Sequence, residues 1–470
     1  MDDIKTYKIS SIVTFCDLIW WLSLINNIEI GNKEVTAMDM LKVGKGENVT
    51  VTNVDGDLII NEGATINSAE GQSITVSGKI IINTSAIING NVKCNSLRSS
   101  GKGTIIIHGS LVADCSIEIK DGSLEVEGDL NAPRIKVDNG LSVLGKVTSS
   151  RISIGGTAEF HNDVEIDEIS VGGKIYATLS FVASTISVGG SAHFDGSVKA
   201  RKVSVGGTLD IAGTSEIDRI SVGGTVRVFK GTYGVISVGG TLEIDGAANI
   251  EKVSVGGTAH ILGYLKLDYA DVGGKLIAEN GLEFVSLDVG GNIEIFGNAS
   301  GKSIEVGGKL IVEGTLSLSG NLDVGSHVDV SKGLLCDGII EVGSKIIVGE
   351  LLRAAEVSAG SEIRARIIEA GRVSIGKNGI IEGLVRANKV TIESKGHAGV
   401  IYADSVLIEE KTRIDTIYAH KVHLERGVVV SGKIYYVDTI NIEKGVQLSE
   451  DPIKVEKLPD FEEIMREYLK

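Results

Sequence analysis

Eight histidines and four cysteines are the side chains of this sequence best suited to acid–base work, nucleophilic attack or metal ligation. The histidines are His108, His161, His193, His260, His327, His397, His420 and His423. The cysteines, Cys16, Cys94, Cys115 and Cys336, are scattered, with no pair at metal-ligand spacing, and fit reduced thiols better than a disulfide framework. An active site would need carboxylates, arginine or histidine converging on one face. Convergence depends on the elements that carry these residues, and a short repeat dictates those elements.

A pair of glycines recurs at Gly155-Gly156, Gly172-Gly173, Gly189-Gly190, Gly206-Gly207, Gly223-Gly224, Gly239-Gly240, Gly256-Gly257, Gly273-Gly274, Gly290-Gly291 and Gly307-Gly308. Eight of the nine steps are 17 residues and one is 16. So short a fixed period marks a solenoid, each repeat being one turn of a coil. With the first glycine as position 1, positions 4 and 6 are apolar, as in Leu209 and Ile211 or Leu242 and Ile244. Positions 15 and 17 are apolar too, as in Ile169 and Val171, and a weaker pair falls near 10 and 12, as in Val164 and Ile166. Alternation of this kind means extended strand with one face buried, and it excludes a helical repeat.

The expected fold is all-β: a long single-stranded parallel β-helix of about 17 residues per coil, with strands stacked every ~4.8 Å along the axis. Three short strands per coil give a triangular section. The glycine pairs are structural corners, where a side chain would strike the coils above and below and a positive φ is expected. Proline, which cannot donate to a ladder, occurs only 3 times, and Pro452 and Pro459 lie near the C-terminus.

Position 16 is a serine column, Ser153, Ser170, Ser187, Ser204, Ser221, Ser237 and Ser254, which turns acidic at Asp271, Asp288, Glu305, Asp323 and Glu341. Stacked like charges repel, so Lys275, Lys309 and Lys345 across the corner are expected to balance them, Asp271 facing Lys275. A cation-binding stripe is the alternative, although the calcium-binding Gly-Gly-x-Gly-x-Asp repeat is missing. His193 and His260 share position 5 but stand four coils apart, ~19 Å. The other histidines occupy different positions, so no cluster is expected, and no catalytic, cofactor or metal residues are assigned.

The register extends over residues 47–455 as roughly 23 coils, a rod of ~110 Å. Residues 1–46 form an N-terminal cap or a membrane-contacting segment. Within it the run 11–25, SIVTFCDLIWWLSLI, offers Phe15, Trp20 and Trp21 as end or membrane contacts, but is short and interrupted for a transmembrane helix. The flank before it lacks the positive bias of a signal peptide. Residues 456–470 form a short helix or tail. Asp460 is its N-cap and Glu463 its capping-box partner, while Phe461, Ile464, Met465, Tyr468 and Leu469 share a face. That helix is expected to fold over the last coil, Phe461 and Leu469 contacting the open end, or to clasp a partner subunit. An open coil end exposes unpaired backbone and must be capped or joined to another chain.

A net charge of −16 disfavours nucleic acid as a partner. The sequons at Asn48, Asn83 and Asn298 would permit glycosylation in a secreted protein.

The stretch from about 380 to 447, with its recurrent VIYADSVLIEE, TIYAHKVHLER and KIYYVDTINIEK, resembles the bactofilins, polymer-forming cytoskeletal proteins. The upstream runs VEGDLNAPRIKV and VSGKIIIN look similar. The resemblance implies a right-handed triangular β-helix that joins end to end into nucleotide-free filaments, in some members tethered to a membrane by a short N-terminal segment. The expected function is therefore a structural rod or scaffold, cytoplasmic or at the inner membrane face, whose main partner is itself. An extracellular fibre or adhesin is the alternative, and a carbohydrate-active β-helix enzyme a further one.

Overall fold

The structure, a computed structural model, describes residues 34–37 and 40–469. Phe15, Trp20, Trp21 and Cys16, with the rest of the run 11–25, lie outside the described residues. The chain divides into two compact units, Met1–Gly223 and Gly224–Lys470. Each is a parallel β-solenoid, and between them they hold about 24 turns of ~17 residues.

In the first unit one coil shows why the sequence folds this way. Strand Thr157–Phe160 pairs in register with Lys174–Ala177, and Val164–Val171 pairs with Phe181–Val188, each 17 residues on. Along Val164–Val171 buried and exposed residues alternate except at Asp167 and Glu168, which are both exposed. The pairing skips Asp167, running Ile166↔Ala183 and then Glu168↔Thr185. That skip is a corner. Each coil therefore has three faces, with Ala158 and Phe160, Val164 and Ile166, and Ile169 and Val171 turned inward and at most 4% exposed.

Volume is balanced both between coils and within them. Phe160, Phe181 and Phe194 are wholly buried, with ring centroids 5.9 and 5.1 Å apart in sequence. Phe160 and Phe194 flank Ala177 in one column, and the small residue leaves room for Phe181 from the adjoining face. Close packing of this kind demands alternation of large and small partners.

The paired glycines stand at one of the corners. A Cβ on Gly172 would strike the carbonyl oxygen of Gly155, and one on Gly189 that of Gly172. Their φ values are not positive, contrary to expectation; what excludes other residues is the backbone of the preceding coil. A second glycine column was not anticipated. A Cβ on Gly213 would strike the Gly196 carbonyl, and one on Gly263 that of Gly246.

The first coils are looser. Leu58 pairs with Ile80, 22 residues on. Asparagine ladders bind these coils: Asn83 Nδ2 donates to Asn61 Oδ1 at 2.6 Å, Asn89 to Asn67 at 2.8 Å, and Asn67 in turn to Asn48.

The second unit repeats the plan with steps of 16 to 18 residues, as in Thr225↔Thr241 and Leu310↔Val328. Near its C-terminal end the corner changes type. Asn378, Lys395, Lys411, Gly427 and Gly445 all take positive φ, and Lys395 N–H donates to the Glu410 carbonyl of the next coil at 2.8 Å. The charge ladder also differs from expectation. Lys275 Nζ lies 2.6 Å from Glu294 of the next coil instead of balancing Asp271, and Lys345 Nζ lies 2.9 Å from Glu362. Lys275 at position 3 reaches position 5 of the next coil, and Lys345 at position 3 reaches its in-register neighbour at position 3 of the next.

Candidate functional site

The inward columns lose their cover at the C-terminal end of the second unit. Ala419, Val422 and Leu424 are at most 3% exposed. Directly above them in register stand Tyr436, Ile440 and Ile442. Tyr436 and Ile440 are half-buried, and Ile442 is 38% exposed. On another face Val430 is buried while Leu448, paired above it, is only half-buried. These residues occupy core positions of a coil that has no full coil over it.

Only one face of that coil is covered. The two-residue strand Ile453–Lys454 pairs above Tyr435 and Tyr436, and Val455 N–H donates to the Tyr436 carbonyl at 2.9 Å. Among the described residues no strand pairs beyond Thr439–Ile442 or Gln447–Leu448. Two faces therefore present unpaired backbone edges beside aliphatic side chains, the features that template another strand.

The helix Phe461–Tyr468 lies elsewhere than expected. Asp460 caps it, its side chain accepting from the Glu462 N–H at 3.1 Å. Phe461, 4% exposed, packs edge-on to Tyr402 at 5.5 Å with the Arg386 guanidinium 4.8 Å from its ring centre. Tyr402 sits two coils before Tyr435, so the helix lies along the flank and does not fold over the last coil. An edge-on tyrosine and a nearby cation both favour an aromatic ring, and these contacts hold Phe461 on the flank. Leu469 is the half-buried C-cap, its N–H donating to the Met465 carbonyl. Burial, then the nearby Tyr435 and Glu467, pushes the Tyr418 phenol up, consistent with a helix drawn against the tyrosine column.

Other residues with chemistry to offer come together on the side of the first unit, where no cluster was expected. The Tyr176 and His193 rings stack at 5.3 Å, and His161 meets Tyr176 edge-on at 6.5 Å. Asp195 Oδ2 accepts from the Tyr176 hydroxyl at 2.6 Å, while its Oδ1 lies 2.8 Å from His193 Nε2 and Asp210 Oδ2 lies 3.1 Å from Nδ1. The Tyr176 hydrogen bond, then the contact with His193, holds the Asp195 carboxyl below its usual range. Tyr176, His193 and Asp210 share position 5 in successive coils, and Asp195 at position 7 reaches His193 of its own coil and Tyr176 of the one before. The polar atoms satisfy each other, and among the described residues no group of three or more potential ligands could hold a metal.

A lateral groove of about 700 Å³ on the same unit follows the small inward residues Ala132, Ala183 and Ala200. Its wall bears Glu165, Lys199 and Glu216, and Lys199 Nζ is already held by Glu216 at 2.8 Å. Asp167, Arg201 and Asp218 line it as well, so acidic and basic side chains share one outer face here. Among the described residues no helix is long and apolar enough to cross a membrane.

Residues 49–148 match the family Bactofilin, described as polymer-forming cytoskeletal. This segment of 100 residues is what the chain shares with that family. That segment contains VSGKIIIN and VEGDLNAPRIKV, two of the runs on which the resemblance was drawn, while the 380–447 stretch lies outside it. Neither the curated proteins nor the solved structures hold a match to the chain. The bactofilin segment belongs to the first unit, and the open coil belongs to the second.

Proposed function

We propose that the chain is a cytoskeletal building block that polymerises through its ends without nucleotide. The observation that carries this reading is the C-terminal coil, with Ile442 exposed and Tyr436, Ile440 and Leu448 only half-buried at positions that are core one coil earlier. Burying such a face against a second copy continues both the hydrophobic columns and the hydrogen-bonded ladder. The bactofilin segment supports it, since that family forms polymers.

The bonding of the glycine amides supports the reading of assembly without nucleotide. A phosphate cradle needs free N–H groups. The Gly172 N–H donates to the Ile154 carbonyl at 2.8 Å and the Gly173 N–H to Gly156 at 3.0 Å. Corners of this kind are already satisfied by the coil below.

The extracellular reading gains nothing from its sequons. The Asn83 amide nitrogen donates to Asn61, Asn48 accepts from Asn67, and Asn298 Oδ1 accepts from Thr315 N–H at 2.9 Å. We place the chain in the cytoplasm, with residues 11–25 as a contact for the inner membrane face. Pelleting of purified full-length protein without nucleotide, followed by negative-stain imaging, tests the reading. Filaments that form equally with and without ATP or GTP support it, and a strict monomer at high concentration refutes it.

A further inference from the structure

The inference drawn here rests on end-to-end assembly and concerns its control. A second copy that adds a coil needs all three faces of the terminal one. It finds Thr439–Ile442 and Gln447–Leu448 free, but Tyr435–Tyr436 already paired with Ile453–Lys454. That blocking strand is two residues long and exposed on both. A strand so short does not hold itself in place.

What holds it lies on the flank. The chain leaves the ladder after Val455, turns back, and buries Leu458 and Phe461, at 6% and 4% exposure. The helix that follows has eight residues, too few to persist alone. Its order comes from Phe461 seated between Tyr402 and Arg386. The tail is thus anchored at one side ring and laid across one third of the growing face.

We propose that residues 449–468 act as a releasable clip on the C-terminal end, in which docking of Phe461 on Tyr402 and Arg386 keeps Ile453–Lys454 over Tyr435–Tyr436 and so raises the concentration at which copies join. Joining displaces the two-residue strand and frees the helix, with no change in the solenoid beneath. The clip sets a threshold and does not forbid growth, because two of the three faces stay open throughout.

The test uses full-length protein without nucleotide and measures the critical concentration for pelleting. F461A removes the anchor, and V455P removes the N–H that donates to Tyr436. Both lie outside the solenoid ladder's buried columns, and thermal melts of parent and variants check that the fold is kept. The expected result is a critical concentration about tenfold lower in each, equivalent to about 1.4 kcal/mol. An unchanged critical concentration in both variants overturns the clip while leaving end-to-end assembly standing. A higher one overturns it in favour of the helix as a clasp between copies. No polymer in parent or variants overturns the clip and the assembly reading together.

Discussion

Ile442 stands in register directly above Leu424, yet Leu424 is wholly buried and Ile442 is 38% exposed. The two residues occupy the same coil position with the same chemistry. They differ only in whether another coil lies on top. The exposed one is therefore a core residue awaiting cover, which separates it from the scattered surface hydrophobics normal in any protein.

The phenylalanine trio makes a sharp prediction about packing. Phe181 is wholly buried between Phe160 and Phe194. Phe181→Ala should cost about 3–5 kcal/mol, since the facing Ala177 cannot fill the space. Urea unfolding followed by circular dichroism reads the loss, and a cost under 1 kcal/mol would contradict the interlocked core.

Two corner types predict opposite signs. Gly189→Ala puts a methyl against the Gly172 carbonyl and should destabilise by about 1–3 kcal/mol. Lys411 holds φ +62°, a left-handed conformation that costs a side chain about 1–2 kcal/mol, so Lys411→Gly should be neutral to stabilising. Thermal melts should show a lowered midpoint for Gly189→Ala and an unchanged or raised one for Lys411→Gly.

Charge in the second unit predicts a pH dependence. The Lys345 ammonium, hydrogen-bonded to Glu362 at 2.9 Å, and the Arg364 guanidinium hold the Glu362 carboxyl below its usual range. A carboxyl lowered in the folded state stabilises the fold above its ordinary value, and that contribution is lost as pH falls through the lowered one. Glu362→Gln should therefore cost roughly 1–3 kcal/mol at pH 7 and little once the parent carboxyl is protonated. Melts of parent and variant that fail to converge on acidification would refute the pairing.

Much of the fold was legible because a solenoid writes its geometry into a period. Gly-Gly spacing and two-residue alternation give the parallel ladder and its inward columns, down to Leu209 over Ala192. The partner of Lys275 and the place of Asp195 beside Tyr176 were not legible, since these side chains reach diagonally between positions, whereas Tyr176, His193 and Asp210 are direct neighbours in one column and were legible from the period. The second glycine column is also written in the period: Gly196 and Gly213, like Gly246 and Gly263, are 17 apart. The site itself was half legible. An open end follows from any solenoid, but that Ile440 and Ile442 form it depends on where the tail leaves the ladder. The flank position of Phe461 depends on Arg386 and Tyr402, some sixty to seventy-five residues earlier in sequence, as the numbering shows.

End-to-end assembly is tested most directly by charging the exposed coil. A double variant, Ile440→Asp with Ile442→Asp, places two carboxylates where a second copy must dock and leaves the coils beneath untouched. Pelleting of full-length protein without nucleotide should show a critical concentration raised more than tenfold, over about 1.4 kcal/mol, with the melting midpoint kept. Polymer forming at the parent concentration in the double variant would contradict the account.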